Sequence, residues 1–403
     1  MKKFALHWQI LVALVLAVLY GIYLGEHVNL VAWMGDVFLR ALKMIIIPLV
    51  LSSIISGVAN IGSAENLGRL GIKTILYYIS TSTLAILTGL VLVNIFKPGA
   101  GADLNLIESV DLGLASDSLG ATLIKIIPEN IFSAFSENTQ MLSVILFSIL
   151  FGFFITRVPE RAGGLLTDFF NAVFEVMMKL TLFIIKFTPF GIFGLVAIKI
   201  AEQDNLMALL HGMGLYIMVV LLGLAIHAGV ILPLILKFIG RIHPIRHLKA
   251  MQTPLITAFS TSSSNATLPL TMEAIEMNAG VSGKISSFTL PLGATINMDG
   301  TALYECVAVM FIAQAYGVEL SFIQQMIVVI TALLASIGAA GIPMAGLVMI
   351  TIVLTAVGLP LEGVGLILAV DRLLDMFRTS VNVWSDSCGA VVIAKSEGEI
   401  LKV

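Results

Sequence analysis

The last apolar segment of the chain carries several polar side chains that recur at helical spacing. They are Asp371, Asp375, Arg378, Asn382 and Asp386, with Thr379 at the edge of the set. At about 100° per residue, they share an arc of roughly 80° on one helix face. An ionisable residue near the centre of a bilayer costs at least about 2.5–3.5 kcal/mol. The face therefore indicates mutual pairing, a bound cation or a charged substrate.

The chemistry of these side chains suggests separate roles. Arg378 offers a planar donor fork that suits a carboxylate. Asp375 can bind an ammonium group, and Asp386 is a hard oxygen ligand for a small cation. An acidic amino acid would satisfy Arg378 and Asp375 together. The alternative is a salt-bridge network that only holds helices together, but three carboxylates against one in-register arginine favour bound cations. Arg372 lies on another face and receives no role.

A second polar stretch interrupts the preceding apolar span. Residues 293–301 read Gly-Ala-Thr-Ile-Asn-Met-Asp-Gly-Thr, and Asn, Asp and Gly in a row favour an unwound helix with free carbonyl oxygens. Such discontinuous helices coordinate sodium in transporters. Glu305 follows shortly after. Burial without a fixed cation favours its neutral form, so it is either a proton carrier or a hydrogen-bonded structural glutamate.

Two uncharged segments have centres that disfavour a continuous helix. One is 250–272, whose middle contains Ser262-Ser263-Ser264, and the other is 320–361, whose middle is rich in glycine. Each pattern predicts two half-helices that meet at a tip within the membrane, which is tolerated only where protein or a water-filled cavity surrounds the tip. Paired interrupted segments indicate a transporter binding site. Ser263 and Ser264 at a helix start are suited to bind a carboxylate.

The composition places the chain in a membrane. Hydrophobic residues make up 58% and charged residues 12%, whereas soluble proteins are about a quarter charged, and the mean hydropathy is +1.04. The net charge of -3 gives no sign of nucleic-acid binding. The two cysteines suggest neither a disulfide framework nor a metal site.

Runs of apolar residues predict eight membrane spans. Their centres are 9–25, 38–60, 75–96, 141–156, 170–200, 208–236, 285–315 and 364–394. The first run lacks a small-residue cleavage site and is interpreted as a span rather than a signal peptide. Lysine and arginine concentrate in alternate loops, which predicts a multi-pass protein of the cell (inner) membrane with a cytoplasmic N-terminus.

These motifs resemble those of the dicarboxylate/amino acid:cation symporter family, which includes archaeal aspartate transporters and mammalian excitatory amino acid transporters. The resemblance covers essentially the whole chain. It rests on the motifs Ser262–Ser264, Asn297–Thr301, Gly341–Gly346 and Asp375–Asp386.

The resemblance implies an all-α integral membrane protein with inverted repeats. The family's architecture would give it eight transmembrane helices and two re-entrant helical hairpins, in a homotrimer that is expected to work by an elevator mechanism. The implied division is scaffold helices 1–2 in 1–60, transport-domain helix 3 in 70–98, scaffold helices 4–5 in 120–200, and the rest of the transport domain in 205–403. That last part holds helix 6, hairpin 1 at about 248–276, helix 7 at about 283–318, hairpin 2 at about 320–361 and helix 8 at about 364–395.

The resemblance also implies binding residues. The substrate is expected at Ser263, Ser264, Thr301, Ile342, Gly346, Asp375, Arg378, Thr379 and Asn382. Three sodium sites are expected: one at Gly293, Asn297, Asn382 and Asp386, a second at Thr295, Met298, Ser336, Ile337 and Ala339, and a third at Tyr78, Thr81, Ser82, Asn297 and Asp299.

Three positions depart from relatives in the family. Archaeal members carry an arginine at the position of Ser262, and mammalian members carry one at the position of Met376, and this chain has neither. Glu305 resembles a mammalian glutamate linked to proton and potassium movement. The expectation is therefore sodium-coupled uptake of aspartate or glutamate, with protons and potassium left open as further coupled ions.

The same residues bear on three other functions. A neutral substrate conflicts with Arg378, and a C4-dicarboxylate without an amino group conflicts with Asp375, yet both fit the same fold. An intramembrane protease would need a base beside its serine or two carboxylates that share a proton, whereas Arg378 lies among these carboxylates. An ion channel is the third class. The sequence therefore predicts a transporter and no enzyme.

Overall fold

The computed structural model describes residues 6–62, 68–101, 127–136, 141–201, 206–338 and 345–403. Its regular elements in these ranges are all helical. The first half contains α1 (Leu6–Tyr23), α2 (Asn29–Gly62), α3 (Gly68–Phe96), α4 (Ile131–Ser136), α5 (Met141–Ile155), α6 (Glu160–Ile185) and α7 (Thr188–Ala201). The prediction of an all-helical fold is confirmed for this part of the chain.

The second half has shorter and more interrupted helices. They are α8 (Leu206–Ile226), α9 (Leu232–Ile235), α10 (Pro244–Ala250), α11 (Gln252–Thr261), α12 (Ser264–Ala274), α13 (Gly283–Ile296), α14 (Asp299–Ala315), α15 (Phe322–Gly338), α16 (Ala345–Ala356) and α17 (Val364–Ser396). Wider π turns at His227–Ile231 and Leu236–Gly240 flank α9.

Four helical stretches of the described chain are long and apolar enough to cross a bilayer. They are Asn29–Asn60, Arg69–Phe96, His211–Gly240 and Gly283–Ala315. The pair Glu160–Ile185 and Thr188–Ile198, bent by 53°, would supply a fifth. Helix α17 has 33 residues and is also long enough to cross a bilayer. It is not among the four stretches, and it carries the ionisable residues of the polar face.

The predicted span 170–200 is divided in the structure. Helix α6 already begins at Glu160 and ends at Ile185, and α7 starts at Thr188 after the bend. Pro189 lies in the first turn of α7. Its ring removes one backbone donor and restricts the preceding residue, which explains a break at this point.

Helices α1, α2, α5, α6 and α7 pack on one another. Close approach of α2 and α7 depends on small residues, because a Cβ added at Gly194 would lie 2.6 Å from the backbone nitrogen of Gly35. This bundle contains the helices predicted as scaffold, although the division into two domains remains a prediction.

Helix α14 lies at the centre of the other helices. Its residues from Asp299 to Ala313 are all buried, and it packs against α3, α8 and α17. A Cβ added at Gly89 on α3 would lie 3.1 Å from the side chain of Leu303. A helix buried on every side fixes its polar residues tightly against its neighbours.

The ends of α3 and α17 are joined by exposed ion pairs. Glu397, which follows α17, lies 2.6 Å from Arg69 Nη2 and 2.6 Å from Lys73 Nζ. These hydrogen bonds, first from Arg69 and then from Lys73, lower the pKa of Glu397 to about 2. The carboxylate is therefore ionised and paired at neutral pH.

Candidate substrate and cation site

The polar face of α17 is buried along its length. Asp371 and Arg378 are 0% exposed, and Asp375, Asn382 and Asp386 are at most 5% exposed. The helical periodicity therefore predicted the buried face correctly.

Arg378 is held between two carboxylates of its own helix. Its Nη2 donates to Asp375 Oδ1 at 2.7 Å, and its Nη1 lies 3.1 Å from Asp371 Oδ1. Arg372 lies 3.7 Å from Asp375 Oδ2, so it pairs locally. Arg378 and Asp375, which were predicted to bind the carboxylate and the ammonium of a substrate, thus pair with each other.

Two further elements confine the guanidinium of Arg378. Its Cζ lies 3.8 Å from the ring centroid of Tyr304, whose hydroxyl donates to Asp371 Oδ1 at 2.7 Å. A Cβ added at Gly346 would lie 2.8 Å from Arg378 Nη1. The predicted residue Gly346 therefore lies directly against Arg378, and any larger residue there would have to displace the guanidinium.

Asn382 connects α17 to the start of α14. Its Oδ1 accepts from the backbone N–H of Gly300 at 2.8 Å, and its Nδ2 donates to Thr301 Oγ1 at 3.1 Å and contacts Met298 Sδ at 3.2 Å. A Cβ at Gly300 would lie 2.6 Å from the carbonyl oxygen of Arg378. The structure brings these predicted residues together.

The predicted unwinding between α13 and α14 is present. Asn297 and Met298 have φ/ψ of −93°/80° and −108°/53°, outside the helical range. Asp299 then begins α14, where a carboxylate is favourable beside the positive end of the helix dipole. The local sequence explains this break, because Asn, Asp and Gly compete with helical hydrogen bonding.

Asn297 links the unwound segment to Asp386. Its Nδ2 donates to Asp386 Oδ1 at 2.9 Å and to Ser385 Oγ at 3.0 Å. A Cβ added at Gly293 would lie 2.5 Å from Asp386 Oδ1 and 2.8 Å from Tyr78 Oη. Gly293, Asn297 and Asp386, predicted together as part of one cation site, are neighbours.

Asp299 meets the polar residues of α3. Its Oδ1 accepts from Ser82 Oγ at 2.6 Å and from Thr81 Oγ1 at 3.3 Å. The hydroxyl of Tyr78 donates instead to the carbonyl oxygen of Thr289 at 2.7 Å. The structure therefore brings Thr81, Ser82 and Asp299 into contact across two helices.

The serine tip lies between α11 and α12. Ser262 has φ +51°, a left-handed conformation that ends α11. Ser263 caps α12, since its Oγ accepts from the backbone N–H of Ala266 at 3.2 Å. Ser263 and Ser264 are 8% and 3% exposed, and Thr379 is also buried. Both arms of this segment pack against α17.

The residues predicted for the second sodium site are only partly described. Thr295 is exposed, with its hydroxyl bonded to the carbonyl oxygen of Leu292, and Ser336 is buried, with its hydroxyl bonded to the carbonyl oxygen of Leu333. Ala339 and Ile342 are not described, nor is the side chain of Ile337.

Sequence reasoning missed three contacts of the site. His227 and Ser385 both bond Asp299 Oδ2, at 2.9 and 2.6 Å, and Tyr304 stacks on Arg378. A histidine inside an apolar span was a usable signal, because ionisable residues at membrane depth face the protein interior. Ser385 and Tyr304 carried no comparable signal.

The chain is similar to known proteins along almost its whole length. The model of the sodium:dicarboxylate symporter family matches residues 6–396. The chain is 36% identical to the proton/glutamate-aspartate symporter of Escherichia coli, over 98% of this chain and 93% of that protein. It is 39% identical to human excitatory amino acid transporter 3, over 98% and 86%. It is 36% identical to the proton/sodium-glutamate symport protein of Geobacillus stearothermophilus, over 99% and 96%.

Proposed function

Because the chain belongs to the sodium:dicarboxylate symporter family, it is a membrane transporter and not an enzyme. We propose that it takes up L-aspartate or L-glutamate together with sodium ions. The observation that carries this proposal is the fully buried Arg378, paired with Asp375 at 2.7 Å. Relatives named as glutamate or aspartate symporters support the same substrate class.

The pairing of Arg378 with Asp375 suits an acidic amino acid. The substrate's distal carboxylate would take Arg378, and its ammonium would take Asp375, so each protein charge exchanges one partner for another. A buried charge that loses its partner costs several kcal/mol, so neither a neutral amino acid nor a plain dicarboxylate satisfies both groups. Gly346 contacts Arg378, and Asn382 donates to Thr301. These residues belong to the proposed substrate site together with Thr379, Ser263, Ser264 and Ile342.

Along α17, sodium would bind beyond Asn382, at the end of the polar face that is farther from Arg378. Asp386 with Asn297 and Gly293, and Asp299 with Thr81 and Ser82, supply carboxylate, amide and hydroxyl oxygens within contact of one another. Oxygen ligands of this kind suit a hard cation. We include Tyr78 in the Asp299 site and a further site at Thr295, Met298, Ser336, Ile337 and Ala339.

Glu305 is proposed as a proton carrier. Its side chain is 0% exposed, and neither carboxyl oxygen has a hydrogen-bond partner among the described residues. An ionised carboxylate in such surroundings would be costly, so the site suits a neutral acid that loses its proton when exposed to water. Coupled potassium movement is left to experiment.

We further propose that the chain works as a homotrimer in the cell (inner) membrane, with its N-terminus cytoplasmic and with eight spans and two re-entrant hairpins. The hairpins would be α11–α12 and α15–α16. The bundle of α1, α2, α5, α6 and α7 would be the scaffold, and the helices around α14 would move as an elevator. The packing of α14 against α3, α8 and α17 supports the proposal that these helices move together.

Uptake into proteoliposomes tests the proposal. Labelled L-aspartate and L-glutamate are supplied with sodium, potassium and pH gradients imposed one at a time, beside alanine and succinate as neutral and dicarboxylate competitors. We expect an inward sodium gradient to accumulate the acidic amino acids. Failure of the gradient to do so would point to a channel, and efficient competition by alanine or succinate would point to another substrate.

A matched pair of variants assigns the substrate to the site. Arg378→Cys should abolish uptake of acidic substrates. Arg372→Cys removes an arginine of the same helix that is 28% exposed and 3.7 Å from Asp375, and it should reduce uptake far less. Unchanged aspartate uptake by Arg378→Cys would contradict the proposed function.

A further inference from the structure

Asp299 receives hydrogen bonds from two opposite sides. Ser82 and Thr81 approach Oδ1 from α3. Ser385 approaches Oδ2 from α17, and His227 approaches it from the π turn that follows α8. All four partners are at most 2% exposed. Oδ1 of Asp299 therefore faces the proposed sodium ligands of α3. Oδ2 faces His227 and Ser385, which belong to none of the proposed sodium sites.

A π turn brings His227 to Asp299. His227 is the first residue of the π turn His227–Ile231, within an otherwise apolar helical stretch. Such turns widen a helix by one residue, redirect side chains and are frequent at functional sites. The indole N–H of Trp384 donates to the carbonyl oxygen of Ala228 at 3.1 Å, which ties the turn to α17.

His227 is placed to donate a hydrogen bond to Asp299. Its Nε2 lies 2.9 Å from Asp299 Oδ2, and its buried Nδ1 has no hydrogen-bond partner among the described residues. An ionised carboxylate accepts hydrogen bonds only, so we assign His227 the tautomer in which the Nε2 hydrogen points at Asp299.

Ser385 is oriented by its other neighbour. Its Oγ accepts from Asn297 Nδ2 at 3.0 Å, so its single proton is directed to Asp299 Oδ2 at 2.6 Å. The hydroxyl thereby joins Asn297, which also bonds Asp386, to Asp299. Removal of this one oxygen would loosen both side chains.

We propose that His227 and Ser385 are positioning residues for sodium binding. They hold Oδ2 of Asp299 and thereby turn Oδ1 toward Thr81 and Ser82, without contacting the ion themselves. This inference rests on the proposed sodium coupling. Partners that orient a metal ligand in this way change metal affinity by about 10–100-fold when they are removed.

Direct sodium binding to the purified, substrate-free protein tests the assignment. Calorimetric titration with sodium chloride at constant ionic strength, with choline as the replacement cation, gives the half-saturating concentration. Ser385→Ala and His227→Ala should raise this concentration about 10–100-fold. His227→Gln keeps a side-chain N–H donor and should recover part of the loss.

Two equally buried residues serve as matched controls: Ser387, on α17 like Ser385, and His247, on α10; both are 0% exposed. Ser387 donates to the carbonyl oxygen of Trp384 and lies 3.1 Å from His247 Nε2. Within the described ranges, neither Ser387 nor His247 bonds Asp299, Asn297 or Asp386. Ser387→Ala and His247→Gln should leave the sodium concentration within about twofold. The uptake assay with aspartate then serves as a second readout of the same shift.

The outcomes separate this inference from the proposed function. Wild-type sodium affinity in Ser385→Ala and His227→Ala, or an equal shift in both controls, would overturn the positioning role while leaving sodium coupling intact. If Ser385→Ala does not fold, the two His227 variants test the positioning role. Weaker sodium binding by His227→Ala than by His227→Gln would support it, and equal binding would contradict it. Sodium-independent uptake and no sodium binding by the wild type would overturn the proposed coupling and this assignment together.

Discussion

The guanidinium of Arg378 lies 3.8 Å above the ring of Tyr304, whose hydroxyl donates to Asp371. One tyrosine thus contacts the arginine through its ring and the arginine's carboxylate partner through its hydroxyl. The arrangement keeps a buried cation in one orientation, which is a precondition for bidentate recognition of a carboxylate.

Tyr304→Phe should weaken aspartate binding about tenfold. The ring stays, but Asp371 loses a donor and then holds Arg378 Nη1 more strongly, so the guanidinium is less available to substrate. A hydrogen bond to a charged group contributes about 1.5–3 kcal/mol, and about 1.4 kcal/mol corresponds to tenfold. Equilibrium binding of labelled aspartate measures the change.

The control for this variant is Tyr77→Phe. Tyr77 Oη is buried without a hydrogen-bond partner among the described residues, so its loss should leave binding unchanged. Equal affinity in Tyr304→Phe and wild type would show that the hydroxyl does not position Arg378.

Gly346→Ala should sharply reduce uptake while the protein still assembles. The added Cβ would lie 2.8 Å from Arg378 Nη1, and overpacking of this kind typically costs about 1–3 kcal/mol. Because the displaced group binds substrate in our proposal, the KM for aspartate should rise. Gly214→Ala is the matched control, since a Cβ there meets nothing within 4 Å.

Glu305→Gln should retain aspartate uptake but lose its dependence on an imposed pH gradient. Glutamine fills the same buried volume and cannot carry a proton. Uptake at a fixed sodium gradient, measured with and without a pH gradient, gives the result. Identical pH coupling in the variant and the wild type would rule out Glu305 as the carrier.

Glu397→Gln is the control for Glu305→Gln, because it removes a carboxyl group that is expected to have no role in proton coupling. The pKa of Glu397 is lowered from 4.5 to about 2 by its pairs with Arg69 and Lys73. A lowered folded-state pKa stabilises the protein above about pH 4.5, and this contribution disappears as the pH falls toward about 2. Between about pH 5.5 and 8 the group does not titrate, so the pH profile of uptake should match that of the wild type.

Leu303→Ala should destabilise the fold. Leu303 is 0% exposed and packs beside Gly89 of α3 and Gly223 of α8, so its truncation leaves a cavity between three helices. Such changes cost about 2–5 kcal/mol. Thermal unfolding in detergent should show a lower midpoint, whereas Leu373→Ala, at a position 49% exposed, should change it little. Similar midpoints for both variants would mean that α14 is not the packing centre.

Much of the site could be predicted from local sequence, because it follows from helical spacing and from the backbone preferences of single residues. The polar face of α17 follows from helical spacing, and the break after Ile296 follows from the backbone preferences of Asn297, Asp299 and Gly300. The interruption at Ser262 has the same origin. The bend between α6 and α7 was missed, although Pro189 marks it.

Which polar groups meet was decided by tertiary structure. His227 and Asp299 are 72 positions apart, and Tyr304 and Asp371 are 67 apart, so no helical period relates them. The sequence by itself determined which residues face inward and where the helices break, because these depend on a few neighbouring residues. Only the packing of α3, α8 and α17 around α14 decided which carboxylate pairs with Arg378 and which donors hold Asp299, because buried polar groups take whichever partners the helix packing brings within hydrogen-bond distance.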